Sequence, residues 1–181
     1  MRFPPIPVLE TGRLRLRKLT MADAEDYYTY LGSSEAVTRF MLWQPHQDIS
    51  ESVASIEKAL RRYKEGHCYR FGIALKESDV LIGVIELLRF DEETDSCSFA
   101  YMLGEAFWGQ GYGTEALKAV FDFAFTQMGI KTITADHMAE NPASGRVMEK
   151  AGMHRTRFLP GKYEKNGKKM DAVEYSITIN Q

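Results

Sequence analysis

The sequence predicts a mixed α/β (α+β) fold, because strand-type and helix-type patterns follow one another along the whole chain. Residues 11–19 alternate apolar and basic side chains, which is the period of a half-buried strand. Three more strand patterns follow one another between residues 69 and 103. At 181 residues the chain is long enough for one well-packed domain, which we expect to span residues 1–181.

The first half of the chain carries two helix signals. Thr20 and Asp23 have the spacing of a capping box and predict a helix that runs to Leu31. Apolar residues on one face predict a second helix over residues 50–64. Between them, residues 40–46 form an aromatic loop that contains a proline and cannot be one regular element. This loop either packs in the core or covers a substrate.

The second half of the chain alternates strands with two more helices. The strand patterns lie over residues 69–76, 81–90, 96–103, 130–138, 154–163 and 170–179. One helical pattern covers residues 112–128 and is stopped by Gly129, and another runs from Pro142 to Ala151. Asn166 and Gly167 give a strong hairpin signal between the last two strands.

Composition and charge narrow the possible partners. The chain has 23 basic and 25 acidic side chains, so its net charge of -2 provides no field that attracts nucleic acid or a membrane. The apolar run over residues 80–88 is too short to span a bilayer, and residues 1–10 lack a signal-peptide pattern. We therefore expect a cytoplasmic protein. Its two cysteines and four scattered histidines predict no metal site.

The most informative run is FWGQGYGTEALKAVFDFAF, over residues 107–125. Gly109, Gly111 and Gly113 allow successive backbone amides to point at one anion, and the helix that follows adds its dipole. The run therefore predicts a cofactor with a pyrophosphate. It lacks the lysine of a Walker loop and the GxGxxG spacing of a dinucleotide fold, so neither nucleotide hydrolysis nor hydride transfer is favoured. The alternative is a glycine-rich turn that only starts a helix.

Three runs together resemble the GNAT superfamily of acyl-CoA-dependent N-acyltransferases, in particular the subgroup that contains the ribosomal-protein N-terminal acetyltransferases. They are LETGRLRLRKLTMADAEDYYTYL, FWGQGYGTEAL and ENPASGRVMEKAGM, in this order along nearly the whole chain. The resemblance implies a mixed, mostly antiparallel, twisted sheet of about seven strands flanked by about four helices. It also implies acetyl-CoA, or coenzyme A, as cosubstrate.

The resemblance assigns residues to that cosubstrate. Backbone amides of the glycine loop would bind the pyrophosphate, from Trp108 through Gly109, Gln110, Gly111, Tyr112 and Gly113 to Thr114, whose hydroxyl could add a bond. Met102 and Leu103 would bind the pantetheine arm through their backbone, and one of them would stabilise the thioester oxyanion. Asn141 would bind the same arm, and Ser144 would lie near the sulfur. From the residues alone, Asn141 is equally suited to cap a helix.

Two expected catalytic groups are missing. Many relatives of the subgroup carry a glutamate on the strand before the loop, where CSFAY places Ser98. Other branches of the family use a tyrosine where this chain has Met148. Candidate replacements are Glu86, Asp136 or His137 as base and Ser144 as proton donor, and an ordered water relay is a further option. Glu86 could instead face solvent, and His137 could be a packing residue.

The leading interpretation is direct attack of a primary amine on the thioester of acetyl-CoA. The acceptor is a protein or peptide N-terminus or a small amine, and the protein is a monomer or a homodimer. An alternative is an acyl-CoA-binding regulatory domain with little or no catalysis, and a third is an O-acyl or longer-chain acyltransferase. The acidic turn over residues 91–95 could attract a cationic amine, although such a run is usually a solvated surface.

Overall fold

The computed structural model describes residues 1–66 and 68–179, so that His67, one of the four histidines, lies outside the described residues. The strands are β1 (Leu9–Glu10), β2 (Leu14–Arg17), β3 (Tyr69–Leu75), β4 (Leu81–Asp91), β5 (Ser96–Leu103), β6 (Thr132–Met138), β7 (His154–Lys165) and β8 (Lys168–Thr178). They form one sheet in the order β1-β2-β3-β4-β5-β6-β8-β7. Every neighbouring pair is antiparallel except β5 and β6, which are parallel.

Five helical segments cover the two faces of the sheet. They are α1 (residues 21–32), α2 (Glu35–Thr38), α3 (Ile49–Glu65), α4 (Tyr112–Thr126) and α5 (Pro142–Lys150). The side of the sheet that carries Phe99 and Leu103 forms the larger core with α4 and α5. The opposite side, with Val84 and Met102, packs against α1 and α3. Within the described residues, no helix combines the length and the apolar character that a membrane crossing requires.

The structure confirms the mixed, mostly antiparallel fold and corrects some of its details. The expected first strand over residues 11–19 is two short strands, because the N–H of Thr11 bonds the Leu14 carbonyl at 2.9 Å and turns the chain. The sheet therefore has eight strands instead of about seven. The hairpin at Asn166 and Gly167 is confirmed, since both residues have positive φ, 54° and 73°.

The first helix is less regular than its capping signal indicated. Asp23 does accept the N–H of Thr20 at 2.7 Å, as the pattern predicted. The segment begins as a 3₁₀ turn, continues as one α-helical turn and ends as a π-helix over Tyr27–Gly32. The unpredicted helix α2 follows, with Ser34 as its N-cap. In the aromatic loop after it, Trp43 packs against the core and Leu42 lines a cleft, so core packing is present and the role as a substrate cover stays a prediction.

A local opening of the sheet creates that cleft. Strands β5 and β6 pair at only three positions, from Ser96 opposite Thr132 to Ser98 opposite Thr134. Beyond Ser98, β5 stays with β4 and β6 stays with β8, so the two strands diverge. Their facing edges therefore carry backbone groups that no neighbouring strand satisfies. This opening lies directly beside the glycine loop and the start of α5.

We predict that Gly83→Ala destabilises the protein. An ideal Cβ at Gly83 would lie 2.6 Å from the carbonyl oxygen of Met102, in the buried contact between β4 and β5. Overpacking of this kind costs about 1–3 kcal/mol in the free energy of unfolding. Urea unfolding followed by circular dichroism measures it. Gly12→Ala is the control, because its Cβ would meet one atom at 3.9 Å, and equal midpoints for the two variants would contradict the prediction.

Candidate functional site

The cleft between β5 and β6 has a volume of about 850 Å³. One side of it is formed by β5, the glycine loop and the first turn of α5. The other side, which we call the hairpin side, is formed by Arg89, Asp136, Lys162 and Tyr163. The two sides meet where the strands diverge, so a group bound on one side can contact a group bound on the other.

The glycine loop has the backbone that its sequence predicts. Gly109 and Gly111 have φ values of 73° and 85°, a region that glycine enters without steric cost. Gly111 is the N-cap of α4 and has no side chain to bond the amides of the first turn. Among the described residues, the backbone amides of residues 109–114 have no hydrogen-bond acceptor. The loop is therefore an amide-rich anion site at the positive end of a helix dipole.

Arg13 and Glu115 hold this loop in place, and sequence reasoning missed both. Glu115, in the first turn of α4, accepts the hydroxyl of Thr11 at 2.6 Å and the backbone N–H of Arg13 at 2.9 Å. The guanidinium of Arg13 bonds Glu115 and also donates to the carbonyl of Gln110 at 2.9 Å. Because a trans peptide points its C=O and N–H in opposite directions, this bond turns the Gly111 N–H away from Arg13 and into the loop. Arg13 also lies 4.3 Å from the centre of the Tyr112 ring.

The free edge of β5 presents residues other than those expected. The Gly104 N–H donates to the carbonyl of Ile82 on β4 at 2.8 Å. Because the backbone groups of successive strand residues point to opposite edges, those of Met102, two residues earlier, also point to β4. Tyr101 and Leu103 therefore face the cleft through their backbone. The Met102 backbone is thus directed away from the cleft, contrary to expectation, whereas the binding of the pantetheine arm by Leu103 stays a prediction. The Leu103 carbonyl accepts the indole N–H of Trp108 at 2.7 Å, and the Trp108 side chain is 44% exposed.

The start of α5 brings two hydroxyl groups together. Asn141 is the N-cap, and its side-chain oxygen accepts the Ser144 N–H at 3.4 Å, so the capping role is present. Its side-chain NH₂ still has two donors for a ligand. The Ser144 hydroxyl lies 3.2 Å from the Tyr101 hydroxyl. Burial raises the pKa of Tyr101, and the bond with Ser144 lowers it by less, so the phenol stays protonated near neutral pH.

His137 lines the cleft, but its ring is mostly buried against α5. It is 8% exposed, and its Nδ1 lies 2.8 Å from the Met138 carbonyl, so Nδ1 carries the proton. Its Nε2 is buried without a partner in the described residues. An ideal Cβ at Gly145 would lie 2.7 Å from both this Nε2 and the Tyr175 hydroxyl. His137 therefore supports α5, which approaches the sheet closely because residue 145 is glycine.

Glu86 lies outside the cleft that contains Tyr101 and Ser144. Its carboxylate bonds Arg62 at 2.5 Å and lies 3.7 Å from Arg70, so two cations neutralise it. It lines a second pocket, between α3 and the sheet, and not the cleft that contains Ser144. Glu86 is therefore neither a base in an apolar pocket nor a strand residue that faces solvent freely. The candidate base is wrong, and the residue forms a structural ion pair instead.

Asp136 lies on the hairpin side and is engaged by two donors. Lys162 approaches it at 2.5 Å, and the Tyr163 hydroxyl donates a second, short hydrogen bond. Burial, followed by the contact with Asp136, raises the pKa of Tyr163.

The two positions where catalytic groups were expected have structural roles. Ser98, at the position of the missing glutamate, donates to the Leu88 carbonyl at 3.2 Å. Met148, at the position of the missing tyrosine, is buried in the core. Residues 1–66 and 68–179 contain no cluster of three or more metal-binding side chains.

Comparisons with known proteins agree with this geometry. A family model for an acetyltransferase (GNAT) domain matches residues 13–154. The uncharacterized N-acetyltransferase p20 of Bacillus licheniformis is 30% identical over 169 residues, which cover 93% of this chain and 94% of that protein. The ribosomal protein uS5-alanine N-acetyltransferase of Escherichia coli (strain K12) is 26% identical over 181 residues, covering 94% and 90% of the two chains.

A solved structure shows the same fold. The Microcin C7 self immunity acetyltransferase MccE, in complex with acetyl-CoA and AMP, superposes with a TM-score of 0.82 at 22% identity. The superposition covers 93% of this chain and 94% of that one. The free amides of the glycine loop and the open strand edge fit the pyrophosphate and the amide-containing arm of coenzyme A. The chain belongs to the GNAT acetyltransferase family and is an acetyl-CoA-dependent N-acetyltransferase.

Proposed function

We propose that this enzyme transfers the acetyl group of acetyl-CoA to a primary amine by direct attack on the thioester, with no acetylated enzyme residue. The observation that carries the proposal is one cleft that joins the anion-binding glycine loop, a free strand edge and the paired hydroxyls of Tyr101 and Ser144. The hairpin side of the same cleft leaves space for the amine. Direct attack needs only that both substrates are held together in the correct orientation.

Backbone groups of the glycine loop and of β5 provide most of the proposed contacts with acetyl-CoA. The free amides of residues 109–114 bind the pyrophosphate, and Asn141 donates from its side-chain NH₂ to the pantetheine arm. The backbone of Tyr101 and Leu103 bonds that arm along the free edge of β5. The Leu103 carbonyl already accepts the Trp108 indole N–H, and its second lone pair can accept a pantetheine amide.

The leaving thiolate is stabilised by Ser144. Its hydroxyl can donate to the sulfur while it accepts from Tyr101, whose phenol stays protonated. A tyrosine on β5 thus takes the place of the family's tyrosine on α5, where this chain has Met148. No unpaired carboxylate faces Ser144 among the described residues, so the proton of the amine leaves through water in the open cleft.

A thiol-release assay tests the proposal. With acetyl-CoA and a panel of primary amines, we expect release of free coenzyme A that depends on the amine, together with an acetylated product detected by mass spectrometry. A matched tertiary amine is the control, because it cannot form a stable amide. If acetyl-CoA binds but no amine accelerates thiol release, the protein is a regulatory acyl-CoA-binding domain and the proposal is wrong.

We predict that Gly111→Ala weakens acetyl-CoA binding by about tenfold or more, because a side chain at a φ of 85° forces the loop amides to reorient. Gly129→Ala is a matched control. Gly129 has a φ of 71° just after the same helix, with no atom within 4 Å of an added Cβ. Both variants should lose similar stability in thermal unfolding. Calorimetry should show weaker binding for Gly111→Ala alone, and equal affinities would refute this role of the loop.

We also predict that Tyr101→Phe and Ser144→Ala each lower kcat by about 10- to 100-fold and leave the KM for acetyl-CoA nearly unchanged. Because the two hydroxyls act as one unit, the double variant should be little worse than Ser144→Ala. Tyr30→Phe is the control, since its hydroxyl bonds no other described residue. Steady-state kinetics decide the matter, and additive losses in the double variant would argue against a shared role.

A further inference from the structure

We propose that the acceptor is a small amine that also carries an anionic group, a carboxylate or a phosphate, and that Arg89 binds this group. The inference rests on the proposed amine acetylation and adds the substrate class. It comes from the hairpin side of the cleft, where Arg89 is a cation that pairs with no carboxylate of residues 1–66 and 68–179.

A β-bulge fixes the position of Arg89. The register between β4 and β5 shifts between Leu88 and Asp91, so two residues of β4 lie opposite one residue of β5. The Phe90 side chain points into the core, where the centre of its ring lies 5.3 Å from that of Phe3 and 5.7 Å from that of Tyr69. Arg89 takes a φ of 53° and lines the cleft. A positive φ is uncommon for arginine, and a bulge that directs one side chain into a cleft is typical of a functional site.

The carboxylates near this site already have partners. Asp136 is bonded by Lys162 and Tyr163, and Glu174 accepts two bonds from Arg157, at 2.8 Å and 3.0 Å. Glu140, the third carboxylate that lines the cleft, lies 3.6 Å from Lys168. No carboxylate of the described residues lies within 4.0 Å of Arg89. Of the four residues that define the hairpin side, Arg89 is thus the one whose charge no described carboxylate offsets, and a guanidinium in this position favours an anionic group.

The acidic turn next to Arg89 does not line the cleft, because none of residues 91–95 is among the residues that form it. Asp91 accepts two backbone N–H groups of its own turn, at 2.9 Å and 3.3 Å. Asp95 bonds Lys131 and the Met1 amine, which lower its pKa to about 2. Asp91 therefore holds the turn in shape, and Asp95 connects it to the N-terminus and to Lys131.

The tip of the β7–β8 hairpin limits the size of the acceptor. Lys165 donates to the carbonyls of Thr38 and Arg39 at 2.7 Å and 3.1 Å, and Gln44 bonds Asn166 at 2.9 Å. These contacts connect the hairpin to the segment after α2, whose residues Phe40 and Leu42 also line the cleft. A small molecule fits beneath this connection more readily than a protein surface does.

The experiment compares matched acceptors. An α-amino acid is paired with its methyl ester, an aminoalkyl phosphate with the corresponding amino alcohol, and spermidine represents the polyamines. We expect kcat/KM to be at least about tenfold higher for one of the anionic members than for its neutral partner, and spermidine to be poor. The pair that shows the preference identifies carboxylate or phosphate as the group that is bound.

Variants then assign the preference to Arg89. Arg89→Gln should raise the KM of the anionic acceptor about tenfold and leave the KM for acetyl-CoA and turnover of the neutral partner unchanged. Arg89→Lys should retain most of the preference, and Arg61→Gln, on the exposed surface of α3, should behave as wild type. Turnover of amines without an anionic preference, or equal losses for both partners, would overturn this inference alone. Binding of acetyl-CoA with no turnover of any amine would overturn the proposed function, and this inference with it.

Discussion

The parallel contact between β5 and β6 is the constraint on which the site depends. It lasts for three residue pairs, after which each strand keeps one antiparallel neighbour and turns its other edge to the cleft. Buried backbone groups require partners, so a free edge inside a protein favours a ligand that brings its own amides. The pantetheine arm of coenzyme A has two amides. One carbonyl of this edge, that of Leu103, also accepts the Trp108 indole N–H.

The elements around the opening are held by contacts that leave the ligand-facing atoms free. Glu115 and Arg13 connect the start of α4 to β2 and orient the Gln110–Gly111 peptide without using the loop amides. Helix α5 lies close to the sheet because Gly145 has no side chain, and this brings Ser144 to the Tyr101 hydroxyl. Rigid support behind a polar site reduces the reorganisation that binding and reaction would otherwise require.

Most of the fold could be predicted because its signals are local. Strand β5 has the predicted bounds, and the glycine loop, the Asn141 cap and the Asn166–Gly167 turn each depend on a few neighbouring residues. The pairing of Tyr101 with Ser144 joins residues 43 positions apart, and that of Arg13 with Glu115 joins residues 102 apart. Such contacts have no local pattern. Glu86 looked like an isolated carboxylate for the same reason, because Arg62 is brought to it only by the packing of α3 on the sheet.

The absence of the expected glutamate bears on how the amine loses its proton. Ser98 stands at that position, and its hydroxyl donates to the Leu88 carbonyl. The nearby carboxylate of Asp136 is already bonded by Lys162 and Tyr163. In the proposed reaction, water in the open cleft is therefore the acceptor of the proton. Because correct placement of the two substrates supplies much of the rate, a reaction of this kind does not require a dedicated base.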